Sequence, residues 1–96
     1  MIRTFRPKGL AKFFSTESRA GIQAEHAERL SLILATLNAA TTPGDMGLPG
    51  LKLHPLKGGR SGTWSVTVRA NWRIAFRFEG KDAADVDYED YHRGNP

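Results

Sequence analysis

Cysteine is absent from the chain. That excludes a disulfide framework and any thiolate-held metal site, and it fits the reducing interior of a cell. Nowhere does an apolar run approach the ~18 residues that cross a bilayer. The opening residues Met1 to Leu10 lack the apolar stretch of a secretory signal. The expectation is a cytoplasmic protein with no membrane attachment. Acidic residues are missing over long stretches: none occurs in the first sixteen residues and none between Asp45 and Glu79. Those stretches hold Arg3, Arg6, Lys8 and Lys12, then Lys52, Lys57, Arg60, Arg69, Arg73 and Arg77. The acids gather instead at Glu79, Asp82, Asp85, Asp87, Glu89 and Asp90, and the formal net charge is +4. A basic surface raises the local concentration of polyanions, nucleic acid among them. A length of 96 residues suits one domain, residues 1–96, and leaves no room for a second.

The hydrophobic period changes midway along the chain. Ile2 to Phe5 reads as a short first strand. Pro7 suits a first helical turn, and Lys8 to Phe14 reads as a brief helix burying Leu10, Phe13 and Phe14. The clearest helix is Gln23 to Ala40, where Ala27, Leu30, Leu34 and Leu37 recur at three- and four-residue steps on one face. Thr41, Thr42, Pro43 and Gly44 end it, and a loose segment rich in glycine and proline runs on to Gly50.

Beyond it the period is two. In Trp64 to Arg69 and in Trp72 to Phe78 the even-numbered residues are apolar. An antiparallel pair with Val68 opposite Ile74, Val66 opposite Phe76 and Trp64 opposite Phe78 satisfies both strands, with a loop centred on Asn71. Arg69, Arg73 and Arg77 then stand side by side on the polar face. After a turn at Gly80-Lys81-Asp82, a last strand from Ala84 to Tyr91 sets Asp85, Asp87 and Glu89 on that same face. Arg77 is expected to pair with these acids, while Arg73 is open to pairing or to RNA. The fold class that follows is α+β: two N-terminal helices packed on one face of a small antiparallel sheet of three or four strands. The other face is expected to be basic and exposed, with the first strand at the sheet's edge.

Cleaving RNA without a metal requires a base for the ribose 2′-hydroxyl, an acid for the departing 5′-oxygen and cations for the charged phosphorane. Histidine suits both proton transfers because its ordinary pKa lies near 6.5. Of the three histidines, His26 sits mid-helix and reads as structural or solvated. His54 lies in Leu53-His54-Pro55-Leu56-Lys57, and His92 closes Tyr88-Glu89-Asp90-Tyr91-His92. Each stands beside other reactive residue types at the margin of the basic sheet. Asp90 and His92, two apart on a strand, could join His54 as a metal triad. Cationic Lys57 and Arg73 oppose a metal there, so the reading is no metal and no cofactor. Trp64 and Trp72 read as packing residues.

Three blocks, in this order and spacing, resemble the signature segments of HigB toxins. They are Lys52-Leu53-His54-Pro55-Leu56-Lys57-Gly58, Gly62 through Ile74 with its Val68-Arg69-Ala70-Asn71-Trp72-Arg73 core, and Tyr88-Glu89-Asp90-Tyr91-His92. The opening Met1-Ile2-Arg3-Thr4-Phe5 and the helix end Leu37-Asn38-Ala39-Ala40-Thr41 resemble them too, so the likeness spans nearly the whole chain. HigB toxins belong to a RelE-like superfamily with a microbial-RNase-like fold. The resemblance implies the toxin of a type II toxin–antitoxin pair, an mRNA endoribonuclease that cuts in the ribosomal A site and so inhibits translation. It implies a catalytic set of His54, Asp90, Tyr91 and His92, with Lys57 and Arg73 as phosphate-stabilising cations. Tyr91 would stack on a base or donate a proton, and Asp90 would orient a histidine or act as base. The partners implied are the ribosome, mRNA and a HigA-like helix-turn-helix antitoxin, the toxin being monomeric when free and hetero-oligomeric with the antitoxin. Two departures stand out: the loose Ala40 to Gly50 segment, and a tail, Arg93 to Pro96, that runs past His92 and could alter its position. The alternative is a non-catalytic RNA- or ribosome-binding protein using the same basic face; both histidines together with Asp90 speak against it.

Overall fold

Leu10 and Phe13, three residues apart, form the buried stripe of α1 (Lys8–Thr16). The structure is a computed structural model that describes residues 1–90. Pro7 stands at the N-cap with an extended backbone, not inside the first turn. Its carbonyl accepts from the Ala11 N–H at 3.2 Å, so the ring sits where no N–H donor is needed. Phe14, expected in the core, is exposed. A helix this short buries a single stripe, and Phe14 packs on its rim against Phe5, the ring centroids 5.6 Å apart. The backbones of Gly9 and Gly21 approach so closely that a Cβ on Gly9 would lie 2.7 Å from the Gly21 Cα. A side chain at either position would push α1 off the segment leading into the second helix.

That second helix is a 3-10 turn, Ala24–His26, followed by α2 (Ala27–Ala39). Ala27, Leu30, Leu34 and Leu37 are buried as their spacing predicts, and Ile33 joins them. The segment after it, expected to be loose, contains a 3-10 turn, Pro43–Met46, with a capping box between Thr42 and Asp45. Met46 is fully buried. The backbone N–H groups of Thr41 and Thr42 donate to Asp45 and hold its carboxyl below the ordinary 3.8.

The strands β1 (His54–Pro55), β2 (Trp64–Arg69), β3 (Trp72–Glu79) and β4 (Asp82–Asp90) form one antiparallel sheet in that order. Val66, Ile74, Phe76 and Val86 share one buried core with Leu30, Leu34 and Leu37, so the apolar face of the sheet lies under the helices. The N-terminal segment does not form a strand. It makes two isolated parallel bridges, Ile2 to Ala83 and Phe5 to Val86. The N–H groups of Arg3 and Arg6 donate to the Ala83 and Val86 carbonyls at 2.8 and 2.9 Å, which occupies the outer edge of β4. Among the described residues no helix is long and apolar enough to cross a membrane.

The register of β2 on β3 differs from the expected one by two residues. Val66 lies opposite Ile74 and Trp64 opposite Phe76. The loop shrinks to Ala70 and Asn71, and Ala70 takes a positive φ of 52°, the local twist that two-residue hairpin loops require. Charge explains the choice. The expected register sets Arg69 opposite Arg73, whereas the observed one sets Thr67 there. A slip of two preserves the faces, so the core is unaffected. A bulge between Thr67 and Arg69 then reverses the alternation. Arg69 comes to lie across from Trp72, on the helix side, where it meets Glu25 at 3.7 Å. The expected row of three arginines is therefore reduced to Arg73 and Arg77.

His26 is structural, but it closes the 3-10 turn at the N-cap of α2 and does not stand mid-helix. It is 2% exposed and its Nδ1 lies 2.6 Å from the Tyr88 hydroxyl. The Gln23 N–H donates to the same hydroxyl oxygen, and the donor in the Tyr88–His26 bond is set by the ring tautomer. Burial pushes the Tyr88 phenol above its ordinary 10.0, which keeps the hydroxyl protonated. Trp72 closes the cluster, 4.6 Å from the Tyr88 ring centroid. Tyr88→Phe should strand a buried ring nitrogen and cost about 1–3 kcal/mol. In calorimetry that reads as a melting temperature lower by roughly 4–8 °C per kcal/mol; an unchanged transition would show that the bond adds nothing.

Candidate active site

β1 is only two residues long, and its pairing carries the first candidate. His54 lies opposite Ser65, and its Nε2 is 3.3 Å from the Ser65 hydroxyl. Its Nδ1 is 3.1 Å from the Lys52 carbonyl, in a turn where Lys52 has a positive φ of 53°. A carbonyl can only accept, so Nδ1 carries the proton. In the neutral ring Nε2 is then the lone-pair nitrogen, and it faces Ser65 on the outer, helix-free side of the sheet.

One step along the same face runs a second row: Thr67, Arg73 and Glu89 are register partners across β2, β3 and β4. Arg73 Nη1 donates to the Thr67 hydroxyl at 2.7 Å and to the Ala70 carbonyl at 3.3 Å. With strands ~4.8 Å apart and a rise of ~3.4 Å per residue, the backbones of His54 and Arg73 are about 12 Å apart. Lys57 is exposed in the β1–β2 loop, capping the 3-10 turn Gly58–Arg60. Asp90 lies opposite Trp72. By strand alternation it takes the face of Trp72 and Tyr88, opposite to that of His54 and Arg73. Tyr91 and His92 lie outside the described residues.

The outer face is not the basic, open surface expected. Ser65 and Ala75, both on it, are buried. A cleft of about 350 Å³ lies there, lined by Arg6, Arg60 and Arg77 and equally by Asp85, Asp87 and Glu89. Glu89 does not pair with Arg73, its register partner, but takes a bidentate contact from Arg60, at 2.9 and 3.2 Å. Arg77 is structurally paired, as expected, with Asp85 (Nε to Oδ2, 2.6 Å) and with Glu79. Residues not singled out from sequence thus complete the site: Ser65, Thr67 and Arg60. Alternation places Ser65 and Thr67 on the polar face, but only the observed pairings bring them to His54 and Arg73.

The Arg77 guanidinium holds the Asp85 carboxyl below its ordinary 3.8. A depressed folded pKa adds stability above the unfolded value, and that stability is lost as pH falls through the folded one. The melting temperature should therefore drop as pH falls below 3.8. Asp85→Asn should forfeit the contribution at neutral pH and show a shallower acid limb. Melts of both proteins between about pH 2 and 6 test this; parallel limbs would remove Asp85 as a cause.

The family model described as a RelE-like toxin of type II toxin–antitoxin system HigB matches residues 3–92. The chain belongs to this HigB-like toxin family. The matched stretch takes in every candidate residue from His54 to His92. This HigB-like chain is 46% identical over 92 residues to Endoribonuclease HigB of Proteus vulgaris, covering 96% of this chain and 100% of that protein. Two solved structures share its fold. A histidine-to-glutamine mutant of YafQ from E. coli superposes with a TM-score of 0.61 at 14% identity, over 100% of both chains. The YoeB/ParE toxin from Agrobacterium tumefaciens gives 0.55 at 18% identity, covering 93% of this chain and 99% of that one. At such identities the likeness is one of fold: two helices over an antiparallel sheet. As a toxin of a type II system, this HigB-like chain has an antitoxin as its partner.

Proposed function

We propose that the chain is a ribosome-dependent mRNA endoribonuclease that cuts the message in the ribosomal A site without a metal. The near full-length identity to a protein named Endoribonuclease HigB supports the reaction class. The observation that carries the mechanism is the His54 ring, whose Nδ1 is tied to a carbonyl and whose Nε2 lone pair points onto the outer face. In this reading Nε2 takes the proton of the ribose 2′-hydroxyl as the oxygen attacks the adjacent phosphorus. His92 protonates the leaving 5′-oxygen, and Arg73 and Lys57 bind the phosphorane oxygens. Thr67 holds the Arg73 guanidinium in place. Tyr91 stacks on a base, worth about 1–3 kcal/mol, and Asp90 orients a histidine of the site. The protein works in the cytoplasm as a monomeric single domain until a HigA-like helix-turn-helix antitoxin binds it.

Expression without antitoxin should arrest growth, because cleaved messages stall translation. His54→Gln, which retains a hydrogen-bonding edge but cannot shuttle a proton near neutral pH, should restore growth at equal soluble yield. Normal growth on expressing the unaltered chain would remove the toxin reading. Arrest by the His54→Gln chain would remove His54 from catalysis.

A further inference from the structure

The Arg60–Glu89 pair joins parts of the fold that are distant on the sheet. Arg60 comes from the 3-10 turn between β1 and β2, whereas Glu89 stands on β4, at the opposite side of the sheet. Their contact therefore arches over the cleft of the outer face, both residues lining it. The three cleft carboxylates are not equivalent. Asp85 is held by Arg77, and Asp87 Oδ1 accepts from the Tyr88 N–H. Glu89 is held by a cation that reaches it from another segment, through a long side chain at each end. The pair is half-exposed, with side-chain exposures of 46% and 24%, and ion pairs of that exposure contribute little to stability.

We propose that the Arg60–Glu89 pair is a latch over a second RNA phosphate site. Two parallel N–H donors on two carboxylate oxygens is the geometry in which a guanidinium also grips two phosphate oxygens. Glu89 thus occupies the position that an RNA phosphate takes when bound. When RNA enters, the phosphate displaces the carboxylate, and Arg60 becomes a phosphate ligand beside Arg6, which also lines the cleft. The latch lowers affinity for any single RNA phosphate, so free RNA is held weakly and binding depends on contacts made elsewhere. It rests on the proposal that this face takes RNA, and it adds a ligand, Arg60, and an internal competitor, Glu89.

The test uses the full-length chain with a single-stranded RNA oligonucleotide over a salt series, and cleavage on an mRNA-programmed ribosome. Glu89→Gln keeps the shape and removes the charge. It should bind the oligonucleotide about tenfold more tightly, because a carboxylate that competes with phosphate for Arg60 is removed. Arg60→Gln should bind more weakly, with a log–log salt slope shallower by about 0.7, the value of one single-strand phosphate contact. The double variant should match Arg60→Gln, since without Arg60 the carboxylate competes for nothing. All three should melt close to the unaltered protein. Unchanged or weaker binding by Glu89→Gln, or an unchanged salt slope for Arg60→Gln, overturns the latch. If the unaltered chain still cuts on the ribosome in that case, the endonuclease reading stands without the latch. If it neither binds nor cuts there, the endonuclease reading falls too.

Discussion

Glutamine in place of His92 should slow single-turnover cleavage by about 10²–10⁴-fold, the usual worth of a general acid or base, while ribosome affinity stays near that of the unaltered chain. Its candidacy rests on the closing block Tyr88 to His92, and the residue itself lies outside the described part of the structure. Glutamine approximates the size of the ring but cannot lend a proton near neutral pH. Affinity for RNA rests on spread lysines and arginines, which the change leaves alone. Arg73→Ala should behave differently. It removes a guanidinium held by Thr67 and Ala70 on the outer face, so binding, its salt dependence and the rate should fall together. Single-turnover cleavage beside an equilibrium ribosome-binding assay separates the two patterns. Full activity in His92→Gln would show that the proton is delivered by another group. Loss of binding and rate together, with the fold intact, would make His92 a contact residue and favour a non-catalytic RNA binder.

Naked mRNA should survive a concentration of the protein that cuts the same message quickly in a programmed ribosome. The described site explains the dependence. His54 and Arg73 stand in separate rows about 12 Å apart at the backbone, and the cleft beside them carries as many carboxylates as guanidinium groups. Such a face attracts RNA weakly and does not by itself force the 2′-oxygen into line with the phosphorus and the leaving 5′-oxygen. Walls supplied by the ribosome would impose that alignment, and orientation of reacting groups can supply about 7–11 kcal/mol of a barrier. Gel analysis of one transcript, free and ribosome-bound, is the measurement. Comparable rates in the two settings would sink ribosome dependence and leave a general ribonuclease.

The amino-acid sequence by itself determined the two helices, the strands β2 to β4 with their buried faces, and the segments that hold the candidate residues, but not the isolated bridges of the N-terminal segment or the two-residue β1. It could do so because burial imposes periods that survive small errors: Leu30, Leu34 and Leu37 remain on one helix face wherever α2 begins, and a two-residue slip leaves Val66, Ile74 and Phe76 in the core. It also located His54, Lys57 and Arg73 through residue order, which folding cannot alter. Only the tertiary structure decided which charges meet. The bulge after Thr67 carried Arg69 to Glu25. The two-residue loop put Thr67 in place of Arg69 opposite Arg73, and the arch of the β1–β2 loop brought Arg60 to Glu89. Long charged side chains reach several ångströms beyond their backbone. Their partners are chosen by bulges, loop lengths and registers that change by a single residue, and a period of two or 3.6 carries no record of that choice.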